Sequence, residues 1–269
     1  MATLDAERQG VGAAGVTMVE ARRLVKKFGD VLALDGFSVA IRRGETYGLL
    51  GPNGSGKTTF IRMIAGLVRP TSGELVVMGH RVPAEASKVL PHLGYMTQQQ
   101  ALYNDLSVWE NVEFFARIFG LKEKEARHGR VREVLELVEL LERKGSTVGT
   151  LSGGMKQRLS LACTLVHNPE LVLLDEPTVG VDPQLRQTFW GYFRMLNERG
   201  VTIVVSSHVM DEADRCDRLG LIRYGVLLAE GTPGELKALG GSDNLEDAFL
   251  ALSSRDKAAV RGQAEEAVR

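Results

Sequence analysis

The sequence is poor in cysteine, tryptophan and long apolar runs, and its charges nearly cancel. Its 269 residues include two cysteines, Cys163 and Cys216, far apart and in no C-x-x-C pair. That excludes a disulfide framework and a cysteine-based metal site, and two reduced, partly buried thiols are expected. No apolar stretch approaches the roughly 18 to 20 residues that span a bilayer, since even Leu171 to Leu174 ends in Asp175-Glu176. The chain is therefore not expected to cross a membrane by itself. Its first residues, Met1 to Arg8, are broken by Asp5 and Glu7 and lack the basic start of a signal peptide, so a cytoplasmic location is expected. With 33 basic and 34 acidic side chains the formal net charge is −1, which argues against a nucleic-acid partner. His80, His92, His128 and His167 show no metal-ligand spacing.

What is present suits a sizeable globular core: 44% hydrophobic and 25% charged residues. Short β-like runs occur at Val31 to Leu34, Phe37 to Ile41, Thr46 to Leu50, Glu74 to Met78, Leu93 to Thr97, Leu171 to Leu174, Val201 to Ser206 and Leu219 to Arg223. Several are continuously apolar, as in strands buried on both faces, and helical stretches separate the later ones. The expected class is α/β around a largely parallel sheet. Between residues 99 and 166 the strand signal disappears, and Val131, Val134, Leu135, Val138 and Leu141 form a one-sided helical stripe. This predicts a helical insert. Lys122 to Glu125 reads as a solvated helix start. Residues 1–16 read as a mobile tail, 17–235 as the main domain, and 236–269 as an extension with a short helix at Asn244 to Leu252.

The chemistry begins at Gly51-Pro52-Asn53-Gly54-Ser55-Gly56-Lys57-Thr58, followed by Thr59. This fits G-x-x-x-x-G-K-[ST] between a strand, Thr46 to Leu50, and a helix, Thr58 to Ala65. Glycines let such a loop wrap inward and aim its N–H groups at phosphate oxygens, and the helix adds its positive end. Lys57 is expected to reach the β- and γ-phosphates and Thr58 to ligate Mg²⁺. Asp175 and Glu176 end a buried strand, where α/β sheets bind ligands. Asp175 would hold Mg²⁺, and Glu176 would polarise a water attacking the γ-phosphate. A second anion cup, Leu151-Ser152-Gly153-Gly154-Met155-Lys156-Gln157, precedes the helical run Gln157 to Val166.

The Ser-Gly-Gly-x-x-Gln signature, about twenty residues before the Asp-Glu strand, resembles the ATP-binding subunits of ABC transporters; the resemblance covers Thr17 to Pro233. It implies a P-loop core with an antiparallel β subdomain and an inserted helical subdomain. It also implies a head-to-tail dimer in which the signature of one subunit caps the γ-phosphate held by the other. Gln98 resembles the glutamine that senses Mg²⁺ and the attacking water, although the run Gln98-Gln99-Gln100 allows a shift by one. Asp182, in Gly180-Val181-Asp182-Pro183, resembles the D-loop aspartate, Phe28 the aromatic that stacks on adenine, and His208 the histidine that contacts the γ-phosphate. The stretch Gln98 to Gly120, the run Ser207 to Ala213 and the tail Asn244 to Phe249 look most like subunits powering exporters of drugs, lipids or polysaccharides. An integral-membrane transporter subunit and a second ATP-binding subunit are the implied partners, with the chain at the cytoplasmic face of the membrane. Leu102 and Tyr103 would form a hydrophobic socket for that membrane partner. A soluble ABC-type ATPase acting in DNA repair or translation is the alternative reading.

Overall fold

A computed structural model describes residues 16–254; the expected tail at 1–16 falls almost wholly outside the described residues, as do residues 255–269 of the expected extension. The strands in chain order are β1 (Thr17–Phe28), β2 (Val31–Arg42), β3 (Thr46–Leu50), β4 (Ser72–Val77), β5 (His80–Arg81), β6 (Leu93–Met96), β7 (Leu171–Asp175), β8 (Thr202–Ser207), β9 (Arg218–Arg223) and β10 (Val226–Gly231). The helices are α1 (Lys57–Ile64), α2 (Ala86–Val89), α3 (Val108–Ile118), α4 (Lys124–Leu137), α5 (Gly153–Leu165), α6 (Pro183–Glu198), α7 (Pro233–Gly240) and α8 (245–254).

A six-stranded sheet, in the order β10-β9-β3-β8-β7-β6, forms the centre; it is parallel from β9 to β6, with β10 antiparallel at one edge. Strand β7 shows why its run is continuously apolar: all five residues are buried. Val172 and Leu174 pack into one core with residues of α3 to α6, while Leu171 and Leu173 pack into another with α1 and the second sheet. Alternation is present, but both faces are covered. The second sheet is antiparallel, β2-β1-β4-β5. Between β6 and β7 the described elements are all helical. No helix among the described residues is long and apolar enough to cross a membrane.

Several local expectations change. Thr17–Phe28 forms β1, the inner strand between β2 and β4, although the sequence reading assigned no strand there. Its two-residue period is broken where the register shifts between Ala21 and Leu24, and Arg23 there takes φ +46°. Val31 to Leu34 and Phe37 to Ile41 join into the single strand β2 across Gly36, at φ +64°. Helix α4 ends at Leu137, so of the expected stripe Val131, Val134 and Leu135 lie on it, while Val138 is its C-cap and Leu141 starts a 3₁₀ turn. Helix α5 begins at Gly153, four residues before the expected start at Gln157, because Ser152 caps it by accepting from the Met155 N–H at 3.3 Å. The glycines of the signature are therefore its first turn.

Candidate active site

The site is built at the C-terminal ends of three neighbouring strands, β3, β8 and β7. The loop after β3 turns through Gly54 at φ +78° and Gly56 at φ +110°. A Cβ at Gly51 would lie 2.0 Å from the Ile222 carbonyl oxygen, and one at Gly56 would lie 2.6 Å from that of Ala33. Only glycine fits these two approaches. No side chain caps α1, so the N–H groups of its first turn lack the partner a capping residue would supply. Lys57 opens α1, and its buried Nζ donates to the carbonyls of Gly51 (2.7 Å) and Pro52 (3.1 Å). Burial lowers the ammonium pKa; the neighbouring Glu176 charge acts in the opposite sense.

Asp175 is the last residue of β7 and is buried. Its Oδ1 accepts from Ser206 Oγ at 2.6 Å and from Thr58 Oγ1 at 3.0 Å, while its buried Oδ2 accepts no hydrogen bond. Glu176 leaves the strand at φ +52°, a conformation that costs a non-glycine residue on the order of 1 kcal/mol. Its N–H is held by the carbonyl and the hydroxyl of Ser206, both at 3.1 Å. Around its carboxylate stand Lys57 Nζ at 3.6 Å, Gln98 Nε2 at 3.2 Å and His208 Nδ1 at 3.4 Å. The turn thus aims the acid back over the loop. Gln98 is the member of its glutamine run that reaches Glu176.

A cleft of about 380 Å³ runs over this loop, lined by Asn53 to Thr59, Gln98 and Glu176 at one end and by Phe28, Val31, Leu32 and Ala33 at the other. The Phe28 ring is half exposed, with Lys26 Nζ 4.6 Å from its centroid. Leu151, Ser152, Gly153 and Gly154 do not line this cleft. Gln157 turns inward: its Nε2 donates to the Pro177 carbonyl at 2.8 Å and its Oε1 accepts from Gln100 at 2.8 Å. Asp182 caps α6 by accepting from the Leu185 N–H at 2.9 Å.

Two groups that the sequence did not single out appear here. Ser206 stands beside Asp175 in the β7–β8 register, a placement that no spacing along the chain reveals. Gln100 ties α5 to the segment after β6, and only its partner identifies it.

Known proteins resemble this chain in sequence and in fold. The ABC transporter family matches residues 34–179. The probable multidrug ABC transporter ATP-binding protein YbhF of Escherichia coli K12 is 44% identical over 246 residues, 90% of this chain; the chain spans only 42% of that relative's length. A Nod factor export ATP-binding protein I of Burkholderia lata is 44% identical, covering 82% of this chain and 73% of the relative. The linearmycin resistance ATP-binding protein LnrL of Bacillus subtilis is 42% identical, covering 85% and 73%. Among solved structures, an ATP-binding subunit of an ABC transporter superposes with a TM-score of 0.80 at 27% identity, covering 88% of this chain and 100% of the other. An ATP-binding cassette, solved as a dimer in a post-hydrolysis state with ADP and Pi, gives 0.74 at 30% identity, covering 80% and 98%. Loop, acids, fold and relatives coincide, and the chain belongs to the ATP-binding proteins of the ABC transporter family.

Proposed function

We propose that this chain hydrolyses ATP as the motor subunit of an exporter, working as a head-to-tail dimer on a separate integral-membrane subunit at the cytoplasmic face. The observation that carries the reading is the convergence on Glu176 of Lys57, Gln98 and His208, beside a glycine-built loop with an uncapped helix start. Phe28 offers a π face to adenine, and residues 51–59 take the phosphates. The buried, unpartnered Asp175 Oδ2 and the Thr58 hydroxyl are hard oxygen donors of the kind Mg²⁺ takes, and the Gln98 amide, which lines the same cleft as Thr58, would complete the set. When bound, that ion would neutralise phosphate charge. Glu176 accepts the proton of the attacking water as the bond between the γ-phosphorus and its bridging oxygen breaks, and ADP and phosphate leave. His208 holds the γ-phosphate.

Leu151 to Gly154 serve the nucleotide of the second subunit, Gln157 ties the helix that carries them to Pro177 and Gln100, and Asp182 belongs to the same contact. Closing the dimer excludes water and drives the membrane partner; hydrolysis resets it. For that partner the chain offers an apolar cavity of about 190 Å³ lined by Leu67, Leu90, Leu102, Phe115 and Phe119. Tyr103 packs beside it on Phe114 instead of lining it. Relatives named for multidrug transport, Nod factor export and linearmycin resistance support export as the direction.

The test is phosphate release from MgATP by the wild-type chain and by Glu176→Gln. The substitution is expected to keep nucleotide binding and lower turnover by ~10² to 10⁴, the usual worth of a positioned base. Wild-type turnover in the variant would remove Glu176 from this role. Pull-down from detergent-solubilised membranes in MgATP should retain a polytopic membrane protein; recovery of soluble partners alone would refute the transport reading.

A further inference from the structure

We infer that Ser206 is a positioning residue for hydrolysis, its single hydroxyl fixing the orientation of Asp175 and of Glu176 together. The inference rests on the ATPase reading above. Among the hydrogen bonds of the described site, Ser206 Oγ is the side-chain atom that touches both acidic residues: it lies 2.6 Å from Asp175 Oδ1 and 3.1 Å from the Glu176 N–H. A hydroxyl has one proton to give and lone pairs to receive with. The amide of Glu176 can only donate, so Oγ must accept there, and its proton is left for the Asp175 carboxylate. The direction of the whole chain, Glu176 N–H to Ser206 Oγ to Asp175 Oδ1, follows without ambiguity.

The placement is a consequence of strand pairing. Ser206 is the register partner of Asp175 in the parallel β7–β8 pair, and side chains alternate along β8. Ser207 accordingly points elsewhere: its hydroxyl accepts from the Val209 N–H at 3.0 Å and approaches Glu212 at 3.4 Å. Ser206 is fully buried and does not line the nucleotide cleft, so it touches no reacting atom. It acts on the two residues that do the chemistry. Thr58 also donates to Asp175, but Thr58 belongs to the phosphate loop, whereas Ser206 belongs to the sheet. Its carbonyl and hydroxyl together grip the Glu176 amide. They hold that residue at φ +52°, where the carboxylate is turned toward Lys57, Gln98 and His208. Loss of the hydroxyl leaves the grip on the Glu176 amide to the carbonyl alone and leaves Thr58 as the one remaining side-chain donor to Asp175 Oδ1 among the described residues.

The test compares Ser206→Ala and Ser206→Thr with the wild-type chain in three measurements: steady-state phosphate release against MgATP, affinity for a fluorescent ATP analogue in EDTA, and thermal unfolding. Ser206→Ala is expected to lower kcat by roughly 10- to 100-fold, the worth of a hydrogen bond to a charged group, with KM changed less than about threefold. Ser206→Thr, which retains the hydroxyl, is expected to recover most of the loss. Analogue affinity in EDTA should stay within about twofold of wild type, since the phosphate loop is intact. Three results would overturn the inference: a folded Ser206→Ala chain with wild-type kcat, a threonine variant as slow as the alanine one, or an alanine variant whose kcat loss is matched by equal losses of analogue binding and thermal stability. A wild-type chain that releases no phosphate would overturn the ATPase reading, and the inference with it.

Discussion

Acidification should destabilise this protein through His167, a residue outside the catalytic machinery. The ring stacks on Phe119 with centroids 3.6 Å apart and planes 7° from parallel, and its Nε2 lies 3.1 Å from the Leu93 carbonyl. A carbonyl only accepts, so Nε2 carries the proton and Nδ1, buried and without a partner, carries none. Protonating Nδ1 would place an unpartnered N–H and a charge against the apolar wall. Burial accordingly pushes the imidazole down from its ordinary 6.5 to about 4, with the charges of Arg130 and His92 adding to the effect and the Leu93 hydrogen bond opposing it. The sign follows from which state binds the proton more readily. The unfolded chain protonates first, so stability is full above pH 6.5 and falls as pH drops toward 4. The 2.5 pH units between 6.5 and 4 correspond to about 3.4 kcal/mol, reduced to about 2 kcal/mol by the partial exposure of the ring. The assay is urea denaturation of wild type and His167→Gln at pH 7, 6, 5 and 4. The glutamine retains a donor for Leu93 and cannot titrate, so the wild type should lose about 2 kcal/mol more than the variant across the range. Parallel curves would refute the assignment.

Two further outcomes follow from the geometry. Gly51→Ala must push a methyl into the Ile222 carbonyl, 2.0 Å away on the neighbouring strand; nucleotide binding is expected to disappear in a chain that still folds, as read by analogue titration alongside circular dichroism. Cys163 and Cys216 are buried, and burial pushes both thiols up. A thiol reagent at pH 8 should therefore modify them only at the rate at which the protein opens, whereas fast modification of the native chain would contradict that burial.

The parts of the fold that could be read from the sequence are those where a local rule acts alone. The run Leu171 to Leu174 could only be a strand covered on both faces, and the loop at residues 51–58 carries its conformation in its glycines. The rest depended on partners distant in sequence. Thr17–Phe28 contains Glu20, Arg22, Arg23, Lys26 and Lys27; its strand shape comes from hydrogen bonding to β2 and β4 on both sides and from a bulge that breaks its periodicity. The start of α5 was hidden because glycine is a weak helix former, and the Ser152 cap outweighs that preference. Gln157 has nothing in its sequence neighbours to say that its side chain bonds Pro177 and Gln100. Ser206 is one serine among others until the register places it against Asp175.

The adjacency of β3, β8 and β7 sets the distances between reactive groups as a ruler does. Neighbouring strands are held about 4.8 Å apart by peptide hydrogen bonds, so the strand ends from which the phosphate loop, His208 and the two acids emerge are spaced by a backbone constant. They owe little to the shapes of the side chains filling the cores. Substitutions among those fillers should therefore change how much folded protein exists at a given temperature while leaving the turnover of each folded molecule nearly the same. A lineage can exchange its interior while the engine keeps its dimensions.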